Sequence, residues 1–285
     1  MKGRVLIIAG SDPSGGAGVQ ADIKTVTALG GYAAAAITAL TVQNTMGVSS
    51  VHPVSPEIIR DQIAAALEDI GADAIKIGMI GERAAGAAIA DALLELAPTV
   101  PLVLDPVLVA TSGDALADAA VPSLLLERLV PISAVVTPNA DEAARLSGVA
   151  IKNADDMAAA GAALLRRGAT AALVKGGHLE GEIVEDALVT LEGVRLFKNP
   201  RIATTSTHGT GCTLASAIAV GIAQKMPLAA AVERAIAYVR EAIRTAPGFG
   251  EGSGPLNHAW TIDEAPTANR PETPTGERPR NAKRK

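Results

Sequence analysis

The chain has 285 residues, 48% of them hydrophobic but only 2% aromatic, a formal net charge of -5 and a single cysteine. That length holds one large α/β domain or two small ones around an aliphatic core, and the acidic balance argues against nucleic acid as a partner. One cysteine excludes an internal disulfide and fits a reducing compartment. No stretch approaches the roughly 20 apolar residues of a membrane-spanning helix, so a soluble, cytoplasmic protein is expected.

In chain order, the first apolar run is Val5-Leu6-Ile7-Ile8-Ala9, which stops at Gly10-Ser11-Asp12-Pro13. It is shorter than the roughly 7–15 residues of a signal-peptide core and lacks a cleavage site, so Arg4–Ala9 reads as a buried strand. Further strands are predicted at Ala74–Ile77, Pro101–Leu104, Ala134–Thr137 and Ala171–Val174. Each is a continuous apolar run, as expected when both faces of a strand are covered. Between them, helices are predicted at Ala17–Leu29, Pro56–Ile70, Arg83–Ala97, Val121–Val130 and Asp155–Arg167. Ser55 before Pro56 and Asn153 before two aspartates supply start signals. The alternation implies a largely parallel sheet with helices on both faces. After Lys175 come a predicted hairpin, Val184–Leu191 and Arg195–Lys198 with Glu192-Gly193 between, and two helices, Thr213–Gln224 and Leu228–Thr245. Residues 1–262 thus form one domain, and 263–285, rich in Pro, Thr, Asn, Arg and Lys, read as a disordered basic tail.

Five segments carry candidate chemistry. His208-Gly209-Thr210-Gly211-Cys212-Thr213 runs into a helix, where glycines leave N–H groups open for phosphate. Cys212, in the first turn, would have its thiol pKa lowered by the helix N-terminus, favouring thiolate as base or nucleophile. No P-loop and no dinucleotide fingerprint occurs. Asn139 and Glu142 in Thr137-Pro138-Asn139-Ala140-Asp141-Glu142 could present oxygens to a hydrated magnesium ion, although a helix cap would use the same residues. Asp105-Pro106-Val107 places a carboxylate at a strand's C-terminal end, where α/β folds bind ligands. Lys175-Gly176-Gly177-His178, also just past a strand, could reach a phosphate. The loop Gly10 to Gly18 holds four glycines in a short span and is followed by Asp22, an acceptor for a substrate hydroxyl or amine. Gln43, in Thr41-Val42-Gln43-Asn44-Thr45, adds an amide able to read a heterocycle edge.

Taken together, AGSDPSGGAGVQADIKT, ITALTVQNT, IKIGMI, LDPVLVATSGD, TPNADEA, VKGGH, STHGTGCTLASAIA and GEGSGPLNHAW resemble, in order, the hydroxymethylpyrimidine/phosphomethylpyrimidine kinases of thiamine biosynthesis. The resemblance runs from Ile8 to about Trp260. It implies a ribokinase-like α/β/α sandwich with a mostly parallel central sheet and a small lid, using ATP and Mg²⁺ to phosphorylate a hydroxymethylpyrimidine and then its monophosphate. It implies that Gln43 contacts the pyrimidine, with Gly10, Asp22, Val107 and the Lys76–Met79 segment (Gly78 and Met79 included) lining the pocket. By the same resemblance Asp105 and Glu142 organise the metal and phosphates, while Lys175, Asn139 and Thr207 serve the nucleotide. Gly209, Thr210 and Gly211 form the anion hole and Cys212 replaces the aspartate base of the wider superfamily. A homodimer is expected from the resemblance alone. Two alternatives stand beside it: a pyridoxal kinase, whose substrate is also a hydroxymethyl heterocycle, and a catalytically silent pyrimidine-binding regulator.

Overall fold

The computed structural model describes residues 1–110, 113–114 and 116–263. Among the described residues, nine strands form one sheet, in the order β3-β2-β1-β4-β5-β6-β7-β8-β9. Its centre is parallel: β1 (Arg4–Ser11) lies between β2 (Tyr32–Asn44) and β4 (Ala74–Ile77), followed by β5 (Leu102–Leu104), β6 (Val135–Val136) and β7 (Ala172–Lys175). Antiparallel strands close both edges: β3 (Gly47–Pro53) on β2, and β8 (Ile183–Thr190) with β9 (Gly193–Pro200) beyond β7.

The central parallel strands β4 to β7 are short and, apart from Lys76 and Lys175, apolar on both faces, because each side of the sheet carries helices. Leu6 and Ile8 of β1 join Ile75, Ile77, Leu102 and Leu104 in a core with α2 (Pro56–Asp69), α3 (Arg83–Leu96) and α4 (Val121–Leu124). Val5, Ile7 and Ala9 point the other way, into a second core with Val103 and Leu173. That face is covered by α1 (Gly18–Ala28), α7 (Thr210–Ala223) and α8 (Leu228–Arg244). Helices α5 (Ala140–Ser147) and α6 (Ala154–Arg166) enclose a smaller cluster that includes Val174 and Ala187. Helix α7 is buried without a break from Thr213 to Gly221, so it is the central helix of its layer rather than an amphipathic surface one.

The predicted strands and the long helices lie where expected, within a few residues. Three differences have physical causes. The predicted helix Val121–Val130 is α-helical only to Leu124, continues as a π turn over Leu125–Leu129 and ends in a 3₁₀ turn at Val130–Ile132; Pro131 cannot donate to a continuing α ladder. Strand β3 escaped the sequence because Ser49, Ser50, His52 and Pro53 dilute its pattern, which an edge strand tolerates. Helix α7 begins at Thr210, three residues early, since Gly209 in the left-handed conformation serves as its N-cap. The predicted tail lies outside the described residues, apart from Asp263, which closes a short helix α9 (Trp260–Asp263). No helix among the described residues is long and apolar enough to cross a membrane.

Ile63 on α2 is fully enclosed in the first core. Ile63→Ala is expected to lower stability by about 2–5 kcal/mol, seen as a reduced urea midpoint at unchanged slope.

Candidate active site

The carboxyl ends of the parallel strands open onto one cavity of about 850 Å³. Strand order sets its layout. Gly10 lies near the end of β1 and Met79 follows β4, with Gln43 at the end of β2 on one side. Asp105 leaves β5 in the middle, and Asn139, Lys175 and residues of β8 and β9 bound the far side. Of the candidate residues, Gly10, Gln43, Met79, Asp105, Val107, Asn139, Glu142, Lys175, Thr207, Gly209, Thr210, Gly211 and Cys212 all line this space. Asp22 and Gly78 do not: both are buried behind the wall.

Two glycine loops form the cavity's floor, and they touch. The Asp12 carboxylate organises the first loop, accepting the Ser14 and Ala17 N–H groups at 2.8 Å each and the Ser14 hydroxyl at 2.9 Å. The same carboxylate meets His208 Nε2 at 2.8 Å, clasping the loop to the residue just before Gly209. Gly209 sits at φ 78°, and a Cβ there would overlap the Gly16 carbonyl oxygen, so only glycine lets the loops meet. Burial alone would push the Asp12 carboxyl up, but hydrogen bonds from His208, Ser14 and Ala17 outweigh it and hold it below the usual range. The clasp leaves the N-terminus of α7 facing the cavity, with first-turn N–H groups that have no carbonyl inside the helix to bond.

Across from that N-terminus lies a charged cluster. Lys175 Nζ donates to Asp105 Oδ1 at 2.9 Å, and the Thr137 hydroxyl donates to the same oxygen at 3.0 Å. A Cβ on Gly211 would stand 3.7 Å from Asp105 Oδ2 and 3.1 Å from Lys175 Nζ, so the cluster and the helix end face each other closely. Asn139 and Glu142 form a capping box: Asn139 Oδ1 accepts the Glu142 N–H at 2.9 Å, and Glu142 Oε2 accepts the Asn139 N–H at 2.8 Å. The cap and the cavity wall are thus the same residues, with the Asn139 oxygen already engaged by the helix. Burial pushes Glu142 up to about 7; Lys175 opposes this and Asp105 adds to it. Lys175 itself would be lowered by burial, but Asp105 and Glu142 leave it raised, hence a firm cation.

Cys212 departs from expectation. The helix N-terminus was to lower its pKa, yet burial pushes the thiol up to about 11, with Asp22 and Asp105 adding to the rise and Lys76 opposing it. Enclosure between packed elements outweighs the helix end. The resting group is a neutral thiol, hydrogen-bonded by the Gly18 N–H.

At the end of β2, Gln43 Nε2 donates to Thr41 Oγ1 at 2.7 Å, and Thr41 donates to the Ser11 carbonyl at 2.9 Å. That fixes the amide while leaving its oxygen and one N–H for a ligand edge. On the far side, Arg201 ties the β7–β8 connection, donating to the Gly181 carbonyl at 2.7 Å, the Gly177 carbonyl at 2.8 Å and the Leu179 carbonyl. Asp12, Thr137 and His208 stand inside the quoted motifs without an assigned role, and Arg201 was not named from the sequence. Asp12 carried a signal, since Asp followed by Pro, Ser and glycines is an Asx-turn pattern; the partners of His208 and Arg201 are distant in the chain.

Because Asp12 is held below its unfolded value, the clasp's contribution is present above the ordinary carboxylate pKa and is lost as pH falls through the lower folded value. Asp12→Asn is expected to lower the melting temperature at neutral pH and to flatten its decline below about pH 4. Melting curves across a pH series check this, and an unchanged acid limb would contradict it.

The comparisons with known proteins agree with this geometry. A family model described as phosphomethylpyrimidine kinase matches residues 12–257. The hydroxymethylpyrimidine/phosphomethylpyrimidine kinase of Rhizobium meliloti is 48% identical over 258 residues, covering 89% of this chain and 96% of that protein. A bifunctional thiamine biosynthesis protein of Geobacter sulfurreducens is 47% identical over 92% of this chain, which spans only 54% of that longer protein. Among solved structures, phosphomethylpyrimidine kinase from Clostridium difficile superposes with a TM-score of 0.76 at 40% identity, covering 85% of this chain and all of that one. An ADP complex of Bacillus subtilis pyridoxal kinase superposes at 0.82 with 32% identity, covering 91% and 98%. With its matching motifs, its nine-stranded ribokinase-like sheet and relatives this similar over nine-tenths of its length, the chain belongs to the hydroxymethylpyrimidine/phosphomethylpyrimidine kinase family.

Proposed function

We propose that the chain transfers the γ-phosphoryl group of ATP to 4-amino-5-hydroxymethyl-2-methylpyrimidine and then phosphorylates the monophosphate to the pyrophosphate, as a thiamine-biosynthesis kinase. One observation carries this reading: a fixed amide at Gln43 and an open helix N-terminus at Gly209–Cys212 line the same cavity, with Asp105 and Lys175 between the two walls. A heterocycle held by Gln43, with Gly10, Met79 and Val107 around it, would turn its hydroxymethyl group toward Cys212. Nucleotide phosphates would lie at Thr207, Gly209 and Gly211, within reach of Lys175 and near Asn139.

Phosphoryl transfer asks the protein for alignment and for neutralisation of charge spreading over the transferred oxygens. Lys175, a firm cation, and the N–H groups of α7 supply both. Asp105 and Glu142 both line the cavity, and two carboxylates beside phosphates fit a hydrated Mg²⁺, which uses one or two carboxylates plus phosphates. When bound there, the ion would offset phosphate charge. In a loose transition state little proton transfer is needed before the phosphoryl group moves, so a neutral Cys212 thiol suffices to orient the hydroxyl, whose proton passes to a transferred phosphoryl oxygen.

Pyridoxal kinase remains the second reading because its fold superposes so closely, and the two substrates are separated by the ratio of their kcat/KM values. Incubation with ATP, Mg²⁺ and the hydroxymethylpyrimidine, followed by mass spectrometry, should show the monophosphate and then the pyrophosphate. Turnover of pyridoxal alone would overturn the assignment. Binding of the pyrimidine with no ADP release would favour a silent regulator. Within the same assay, Cys212→Ala should lower kcat by about tenfold or more with little change in the KM for ATP; a near-normal kcat would contradict a role for the thiol.

A further inference from the structure

Behind the cavity wall, beneath the first turns of α7, two opposite charges are completely enclosed. Lys76 of β4 and Asp22 of α1 have 0% exposure, and Lys76 Nζ lies 2.8 Å from Asp22 Oδ2. The other Asp22 oxygen accepts the Ser216 hydroxyl at 2.7 Å. Ser216 follows Cys212 by four residues on α7, so thiol and anchor share one helix face. Gly78, two residues along from Lys76, keeps the space clear, since a Cβ there would stand 2.8 Å from the ammonium.

A buried ion pair is a weak source of stability, and apolar residues of similar volume serve as well or better. Its presence in an otherwise aliphatic sheet therefore calls for another reason. The pair is not neutral as the thiol meets it: the Lys76 charge acts on Cys212 more strongly than the opposite charge of Asp22, and Asp105 acts on both Lys76 and Cys212. The Ser216 hydroxyl, four residues after Cys212, ties the pair to α7 one turn below the thiol.

We infer that Lys76 is a positioning residue for the phosphoryl transfer: Asp22 and Ser216 join its ammonium to α7, and the ammonium presents positive charge from behind the wall to the charge spreading over the transferred phosphoryl oxygens beside Cys212. This rests on the kinase reading above. It makes Asp22 a residue that acts through Lys76 and Ser216 rather than by touching substrate.

The test compares the wild-type enzyme with Lys76→Met and with the double variant Asp22→Asn/Lys76→Met. The single change strands a buried carboxylate and is expected to destabilise the fold; the double change removes both charges and is expected to fold. Wild-type turnover of the hydroxymethylpyrimidine tests the kinase reading separately. In the double variant kcat should fall about tenfold or more, with the KM values for ATP and pyrimidine within about twofold of wild type and the melting temperature close to it. A kcat equal to wild type would overturn the inference. So would a loss tracking a lowered melting temperature or raised KM values, or a double variant that does not fold, because the pair would then serve the architecture.

Discussion

The site depends on one contact between segments far apart in the chain. Asp12 closes the β1–α1 loop on itself and holds His208, 196 residues on, so that the loop before α7 is tied to the loop after β1. Two glycines make the rest of that contact: a Cβ on Gly209 would overlap the Gly16 carbonyl oxygen, and a Cβ on Gly16 would run into the His208 ring. The start of α7, and hence the direction of its free N–H groups, is set by this meeting. Had the loops been held apart by side chains, the helix end would sit farther from the Asp105–Lys175 pair that faces Gly211.

Around that contact the charges are arranged in depth. Asp105, Lys175 and Glu142 face the cavity, where the ligand's phosphates and the ion they carry would complete the balance. Asp22 and Lys76 lie behind it, satisfied by each other and by Ser216. Cys212 stands between the two layers. Its enclosure explains why a cysteine at a helix N-terminus is not a thiolate here: the dipole acts over a fraction of a charge, while removal from water opposes the anion more strongly. A thiol that is poor at accepting a proton in the resting state is compatible with phosphoryl transfer, whose demand is for positioning rather than for a strong base.

Much of this was legible in the sequence, for identifiable reasons. Runs such as Val5–Ala9 and Leu102–Leu104 are apolar on both faces because helices cover both faces of a parallel sheet, and glycine-rich strand-to-helix turns mark where its carboxyl edge binds ligands. What stayed hidden was pairing. Nothing local to His208 names Asp12 as its partner, and nothing local to Lys76 says that a lysine on a buried strand finds Asp22. Asp22 was read from its neighbourhood as a substrate contact, whereas the fold turns it inward. Asn139 and Glu142 admitted two readings, a cap or a phosphate-facing wall, and they turn out to form the cap on the cavity's own edge. Edge strand β3 and the π turn after Leu124 depend on tertiary context that hydrophobic periodicity does not encode.

The most direct measurement is a crystal structure with the hydroxymethylpyrimidine and a non-hydrolysable ATP analogue bound together. The account places the pyrimidine against Gln43, the hydroxymethyl oxygen beside Cys212, and the terminal phosphate at the Gly209–Cys212 turn opposite Lys175. A pyrimidine seated instead at the Arg201 side of the cavity, or phosphates away from the start of α7, would contradict it.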